Sequence, residues 1–293
     1  MQIFLHHYPA SPFSEKIRLM LGYLGLSWKS VEIPTIMPRP LLMPLSGGYR
    51  RTPCLQIGAN VYCDSAVIAR GLARHAGDAT LFAPGFAAQR VAEWADGQLF
   101  RVIVALNFAP EAVGSMLAQL PADQIQAFAA DRASLTEGAS LTGLPASAAR
   151  AHVAQYLREL DGSLESAFLF GAAPSIADFS LYHCLWFLRN NAHNAPQLTP
   201  FKAVGAWMDR IAAFGHGSSQ QATGEDALAH ARECEPALPT LESAFPKGMS
   251  AGAAVTVTPV DYGKIPVAGR LVACGSDELV LARDTPETGP VMT

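Results

Sequence analysis

The chain opens on a short apolar run, residues 2–7, that reads as a strand. Tyr8-Pro9-Ala10 makes a turn, and Ser11-Pro12 starts a helix with a serine cap and a proline at the first helical position. Phe13, Ile17, Met20, Leu21 and Leu24 recur at helical spacing, so one face of this helix lies on a sheet. Gly25 closes it, and residues 28–33 alternate as a second strand. Strand, helix and strand of this length predict a right-handed crossover joining two parallel strands. Two more short runs, Cys54–Ile57 and Asn60–Cys63, flank Gly58-Ala59 and read as a hairpin, with a helix over 66–75 behind it. Between the halves lies PTIMPRPLLMPLSGGYRR, whose four prolines and two glycines leave room for no more than a short helix.

After a break at Gly77-Asp78-Ala79-Thr80 the pattern turns helical from 84 to about 233. Val91, Trp94, Leu99, Val102 and Leu106 mark a long helix over 85–108. Ile125, Phe128 and Leu135 mark a second, and Val153, Tyr156, Leu157, Leu160 and Leu164 a third. Ser175 and Asp178 have the spacing of a capping box ahead of FSLYHCLWFL, which is apolar nearly all round and predicts a helix buried at the centre of a bundle. Phe201, Val204, Trp207, Ile211 and Phe214, then residues 223–233, give two more. A Pro/Ala/Gly/Ser linker leads to VTVTPV, VAGRLVA and ELVLAR, three alternating runs with a turn at Gly275-Ser276. The expected division is an α/β domain over 1–76, an all-helical domain over 84–233 and a small β extension over 250–293.

Composition narrows the function. The chain has 293 residues, half of them apolar and 16% charged, which is globular and long enough for two modest domains. A net charge of −4 makes no electrostatic case for nucleic acid or an anionic membrane. No basic segment precedes an apolar one at the start, and no run approaches the ~18 apolar residues of a membrane span, so a cytoplasmic protein is expected. Five cysteines without a CxxC support neither a disulfide framework nor a zinc site, and no metal is expected.

The candidate chemistry centres on 51–68, RTPCLQIGANVYCDSAVI. An X–Pro bond adopts cis at a cost of only ~1 kcal/mol. A cis Thr52–Pro53 bond would turn the N–H and C=O of Cys54 outward, where an extended peptide could add as a strand. Asp64-Ser65 brings a carboxylate and a hydroxyl to a helix N-terminus, whose free N–H groups attract a ligand carboxylate. This is a small-peptide site; the plainer reading of the same residues is a hairpin followed by a capped helix.

The motif resembles the glutathione site of the glutathione S-transferase family, in which a TP-x-L stretch with cis proline pairs with glutathione's cysteine and an ES or DS pair holds the γ-glutamyl end. The Ser175–Asp178 box matches one that the family carries in its second domain. The resemblance covers about residues 1–233. It implies a thioredoxin-like N-terminal domain plus an all-α helical bundle, with the C-terminal β extension outside the family pattern, as is the proline-rich segment in place of a helix. It places glutathione, as co-substrate, on Arg51, Thr52, Pro53, Cys54, Asp64 and Ser65.

Glutathione reacts as a thiolate, and a free thiol with a pKa near ~8.5 is mostly protonated at neutral pH. A hydroxyl donor and the free N–H groups of a helix N-terminus favour the charged form. HYPASPFSEKIRLML is similar to the segment of serine-type members, which gives Ser11 that role; the alternative for Ser11 is a helix cap and nothing more. Tyr8 is the runner-up donor, and Ser14 a further competitor. Phe13, Phe100 and Arg101 are the candidate wall for the second substrate. The expected function is a glutathione transferase acting on a small electrophile or peroxide, as a two-fold homodimer. The alternative is a non-catalytic relative that binds a partner through its interface or extension.

Overall fold

The crossover forms as expected. In the computed structural model, which describes residues 1–118, 121–139 and 144–293, β1 (Ile3–His7) and β2 (Ser27–Glu32) run parallel, with Phe4 opposite Lys29. The connecting helix α1 (Pro12–Tyr23) buries Ile17, Met20 and Leu21. Its last turn approaches the loop after the bundle's last helix so closely that a Cβ on Gly22 would lie 2.1 Å from the Gly215 carbonyl oxygen, a place only glycine can hold. The proline-rich segment contains only the four-residue α2 (Met43–Ser46). β3 (Cys54–Ile57) pairs antiparallel with β1 and hairpins into β4 (Asn60–Cys63), and α3 (Ser65–Ala76) follows.

The long helix is α4 (Phe86–Trp94), which passes through one π-turn (Ala95–Leu99) into α5 (Phe100–Asn107). A π-turn widens a helix locally and re-aims its side chains; this one delivers Asp96 to the domain boundary. α6 (Pro110–Leu117), which the apolar spacing did not announce, precedes α7 (Ala122–Thr136) and α8 (Ala146–Ser163). α9 (Ile176–Arg189) is the predicted central helix, buried everywhere except Trp186 and Arg189. Its capping box is itself buried. Asp178 accepts from Ser175 N–H at 2.8 Å and Ser175 O–H at 2.9 Å, and also from Leu169 N–H and Trp207 Nε1, each at 2.9 Å. The carboxylate thereby ties the start of α9 to α10 (Lys202–Ala212). Ile17, Leu21 and Ile68 of the first domain share one apolar core with Phe179, Leu185 and Trp207 of the second.

One expectation needs correction. The stretch 84–233 is not helical throughout: β5 (Ser218–Ala222) pairs parallel with β2, and α11 (Gly224–Glu233) returns to the first domain. There Ala227, Leu228 and Ala231 pack with Phe4, Val31 and Val61. The C-terminal β extension forms as expected. Its strands β6 (Ala254–Val257), β7 (Val267–Cys274), β8 (Leu279–Thr285) and the unanticipated β9 (Gly289–Met292) continue the first domain's sheet, in the order β5-β2-β1-β3-β4-β9-β8-β7-β6. The join is narrow, Met292 N–H donating to the Ala59 carbonyl at 3.1 Å. It is reinforced by Arg74–Glu278 and Arg70–Asp277 ion pairs and by Val267, Leu271 and Leu281 packing on Leu42 and Tyr49. No single described helix is long and apolar enough to cross a membrane.

Candidate functional site

Ser11 is the N-cap of α1 and is buried. Its Oγ accepts from Ser14 N–H at 3.2 Å, and its carbonyl accepts from Glu15 N–H, the first bond of the helix ladder. Pro12 has no N–H, so the Phe13 N–H is the first-turn donor that the helix itself does not use. The turn before Ser11 is pinned by Arg18, which donates to the carbonyls of Tyr8 at 3.4 Å and Pro9 at 2.9 Å. Arg18 is held in turn by Glu15 (2.7 Å), which His216 approaches at 3.1 Å from beyond the bundle. Among the described residues the Ser11 hydroxyl proton has no acceptor. Tyr8 is half-buried beneath Arg39, whose guanidinium carbon lies 6.0 Å from its ring centre. Ser14 is fully buried with its hydroxyl unpaired.

The Thr52–Pro53 bond is cis, as is Met37–Pro38. Cys54, however, does not face an open groove. It is the first residue of β3, with His6 of β1 opposite on one side and Cys63 of β4 on the other, and it is fully buried. A residue inside a sheet has both edges taken, so no peptide can pair with it. The residue left free is Thr52, one position earlier, whose N–H and C=O join no backbone hydrogen bond among the described residues. The Cys54 and Cys63 sulfurs are 4.0 Å apart as free thiols, and the Cys63 thiol is pushed up, first by its hydrogen bond with Cys54 and then by burial.

Thr52 is set by Arg39, which sequence reasoning passed over. The buried guanidinium donates to Thr52 Oγ1 at 2.9 Å and to the carbonyls of Pro34 (2.9 Å), Arg50 (2.8 Å) and Thr35 (3.1 Å), clamping both ends of the proline-rich segment. From the other domain Asp131 of α7 accepts from Met37 N–H at 3.0 Å and from Arg50 at 2.8 Å. A lone Arg among prolines gives no sequence signal of such a clamp.

Asp64 caps α3, its Oδ1 accepting from Ala66 N–H at 2.9 Å. Its φ of 84° makes it, among the described residues, the non-glycine with left-handed backbone. Such strain in a short polar residue concentrates at functional sites. Ser65 follows, nearly buried, as the first helical residue. Arg51 comes within 3.9 Å of Asp64, but its main partners are Asp261 and the carbonyl of Tyr262 in the extension, neither of which the sequence pointed to. A cavity of about 1320 Å³ adjoins Arg51 and Asp64, between the β4–α3 side of the first domain and the extension.

On the other side of Ser11, Phe13 and Phe100 stack edge to face with ring centres 4.6 Å apart. Phe187 of α9 lies 6.2 Å from Phe100, and Phe108 carries the row on to Phe128 of α7. Arg101 does not join this wall: it is exposed and bends back to the Gly97 carbonyl at 3.1 Å. Beneath Phe13 lies a buried polar cluster, with Asp96 2.6 Å from Lys16 Nζ and 2.9 Å from His183 Nε2. Burial opposes its charge, yet Lys16 and the His183 hydrogen bond together hold the Asp96 carboxyl down at about 2. Among the described residues no His, Cys, Asp or Glu cluster is arranged to hold a metal ion.

The first domain thus carries a hydroxyl at a helix start, a cis-proline loop and a strained acidic cap. Comparison with known proteins decides what these features belong to. Residues 5–80 match the family model "Glutathione S-transferase, N-terminal domain" and residues 123–210 match "Glutathione S-transferase, C-terminal domain". The chain is also similar to a GST-like protein from Pseudomonas syringae, at 38% identity and a TM-score of 0.82 over 99% of this chain and 96% of that one. The chain belongs to the glutathione S-transferase family. Two more distant members show the same fold: a glutathione S-transferase from Rhodospirillum rubrum (16% identity, TM-score 0.54, 72% of this chain and 88% of that one) and a glutathione transferase from Populus trichocarpa (16%, 0.52, 72% and 93%). The Pseudomonas protein matches nearly the whole of this transferase-family chain, whereas the other two match less than three quarters of it. No curated protein matches it.

Proposed function

We propose that the protein is a glutathione transferase in which Ser11 stabilises the thiolate of glutathione for attack on a small apolar electrophile. The observation that carries this reading is the state of Ser11. Its oxygen is fixed by the Ser14 N–H, its proton is uncommitted, and the unused Phe13 N–H stands beside it at the positive end of α1. Those two donors suit a sulfur anion. A preorganised donor of this kind contributes ~3 kcal/mol, less where others share the charge.

In this reading the tripeptide lies along Thr52 and Pro53, with Arg51 and the Asp64-Ser65 helix start at its charged ends. Thr52 replaces Cys54 as the residue whose main chain pairs with it. The electrophile meets the sulfur against Phe13 and Phe100; a carbon–sulfur bond forms and the leaving group departs with its electron pair. A cytoplasmic setting goes with such chemistry, since all five cysteines are free thiols. The expected homodimer would form with β9 already covering the edge of β4, so it would rest on α4, whose Phe86 is 78% exposed.

A non-catalytic role is the second reading, favoured by one observation: Arg51 is already engaged by the extension. Calorimetric titration with glutathione, alongside turnover of an activated aryl halide, separates the two. Binding with turnover supports the transferase, and absence of turnover, above all with no glutathione binding, refutes it in favour of the second reading.

A further inference from the structure

Between β6 and β7 the extension sends residues 258–266 back across the front of the first domain. Arg51 donates from Nη1 to Asp261 Oδ2 at 3.2 Å, and from Nη2 to Asp261 Oδ1 and the Tyr262 carbonyl. Its guanidinium carbon lies 3.9 Å from the centre of the Tyr262 ring. One step on, the Gly263 N–H donates to the Leu135 carbonyl of α7 at 2.8 Å, and Lys264 Nζ to the Gly138 carbonyl at 2.7 Å. Gly263 has φ +55°, and a Cβ there would stand 3.1 Å from Leu135 Cδ1 and 3.6 Å from Arg51 Cγ. Glycine is what lets the chain pass between the two domains at this point. The segment is thus a strap tied at one end to the motif arginine and at the other to the helical domain.

Around Val260 and Asp261 the strap is held by these polar ties more than by packing, whereas Tyr262 is half-buried and Gly263 buried. Val257, Val260 and Asp261 line the 1320 Å³ cavity that adjoins Arg51 and Asp64, so open space lies behind them. Val260 is 90% exposed and the Asp261 side chain 54% exposed. A guanidinium offers five N–H donors in a planar fork. Asp261 takes its two terminal nitrogens, the Tyr262 carbonyl shares one of them, and the Tyr262 ring covers a face. A second carboxylate cannot pair bidentately with the same group while Asp261 is there.

We propose that Asp261-Tyr262-Gly263 is a built-in occupant of the glutathione groove, an acidic peptide seated on Arg51 that must lift before a carboxylate of glutathione can take its place. This rests on the transferase reading of the groove. A ligand that binds only the open form has its affinity reduced by the fraction of molecules that are open. If the strap is closed in two thirds to nine tenths of molecules, freeing it tightens binding by about 3- to 10-fold.

The test is calorimetric titration of glutathione into wild type, Asp261→Ala and Tyr262→Ala, with hydrogen exchange of the Gly263 amide followed in the wild type. The strap account predicts 3- to 10-fold tighter binding by both variants, and faster exchange at Gly263 when the wild type is saturated, because the bond to Leu135 opens. Binding by the variants but not by the wild type would be the same result in its strongest form. Equal binding by the variants would show that the strap does not obstruct the site, and weaker binding or slower exchange at Gly263 that it completes the site; either would overturn the proposal while leaving the glutathione reading intact. Absence of binding by all three proteins would overturn both.

Discussion

Replacing Asp96 with asparagine keeps the shape of the domain junction and deletes one charge, so its effect can be worked from the cluster alone. Lys16 and His183 are both fully buried, and the carboxylate they share is only 20% exposed. In Asp96→Asn the amide oxygen can still accept from Lys16, but the ammonium is left without a counter-charge in a site that water does not reach. Breaking a buried pair from one side costs roughly 3–5 kcal/mol. The partial exposure of Asp96 points to the lower figure, about 3 kcal/mol. With a urea slope of about 3 kcal/mol per molar for a chain of this size, the midpoint should fall by about 1 M at pH 7. The pH dependence gives a second check. The folded carboxyl titrates at about 2, below its ordinary value of ~4, so its contribution is fully present above pH ~4 and is lost as pH falls through 2. Wild type should therefore lose stability between pH 4 and 2 by a component that Asp96→Asn lacks. A double variant, Lys16→Met with Asp96→Leu, removes both charges and should recover most of the loss. A midpoint for Asp96→Asn within 0.3 M of wild type, on the order of 1 kcal/mol by the same slope, would refute the reasoning.

Further outcomes follow from the same structure. Burial pushes both His6 and His7 down to about 4, Arg18 adding to the effect at His7. The unfolded chain takes up these protons near pH 6.5 and the folded one only near 4, so stability should fall as pH drops from 6.5 to 4, by about 3 kcal/mol per histidine; His6→Gln/His7→Gln should flatten a urea-midpoint profile over that range. Arg39→Lys cannot reproduce the four bonds of the guanidinium fork and should cost about 3 kcal/mol in thermal or urea unfolding, while weakening glutathione binding through Thr52; an unaltered Kd would separate Thr52 from the site. Asp178→Ala leaves four donors without an acceptor and should cost about 4 kcal/mol, read as an early loss of the Trp207 environment in fluorescence.

Much of the fold was legible because it is written locally. The β1–α1–β2 unit, the Gly58 hairpin and the all-apolar α9 each carry their period within a dozen residues. β5 was not legible: SSQQA has no apolar alternation, and it becomes a strand only because β2 offers an edge. α11 was seen as a helix but assigned to the wrong domain, because its narrow stripe of Ala227, Leu228 and Ala231 fits a sheet as well as a bundle. Ser11 and Asp64 announced themselves as helix caps, whereas Cys54 was taken for the exposed residue when the hairpin encloses it and leaves Thr52 outside. Arg39, Asp131 and Asp261 work at separations of 13, 94 and 210 residues, and no spacing rule reaches that far.

The central claim is that Ser11 holds a thiolate. Ultraviolet titration of glutathione bound to wild type, Ser11→Ala and Tyr8→Phe measures it directly. The account predicts a wild-type midpoint well below the ~8.5 of a free thiol, and a midpoint in Ser11→Ala higher by about 1–2 pH units, the equivalent of one preorganised donor sharing its load with the Phe13 N–H. Glutathione affinity should change little in that variant, and Tyr8→Phe should titrate like wild type. An unshifted midpoint in Ser11→Ala would contradict the account, and a shift in Tyr8→Phe instead would assign the role to Tyr8.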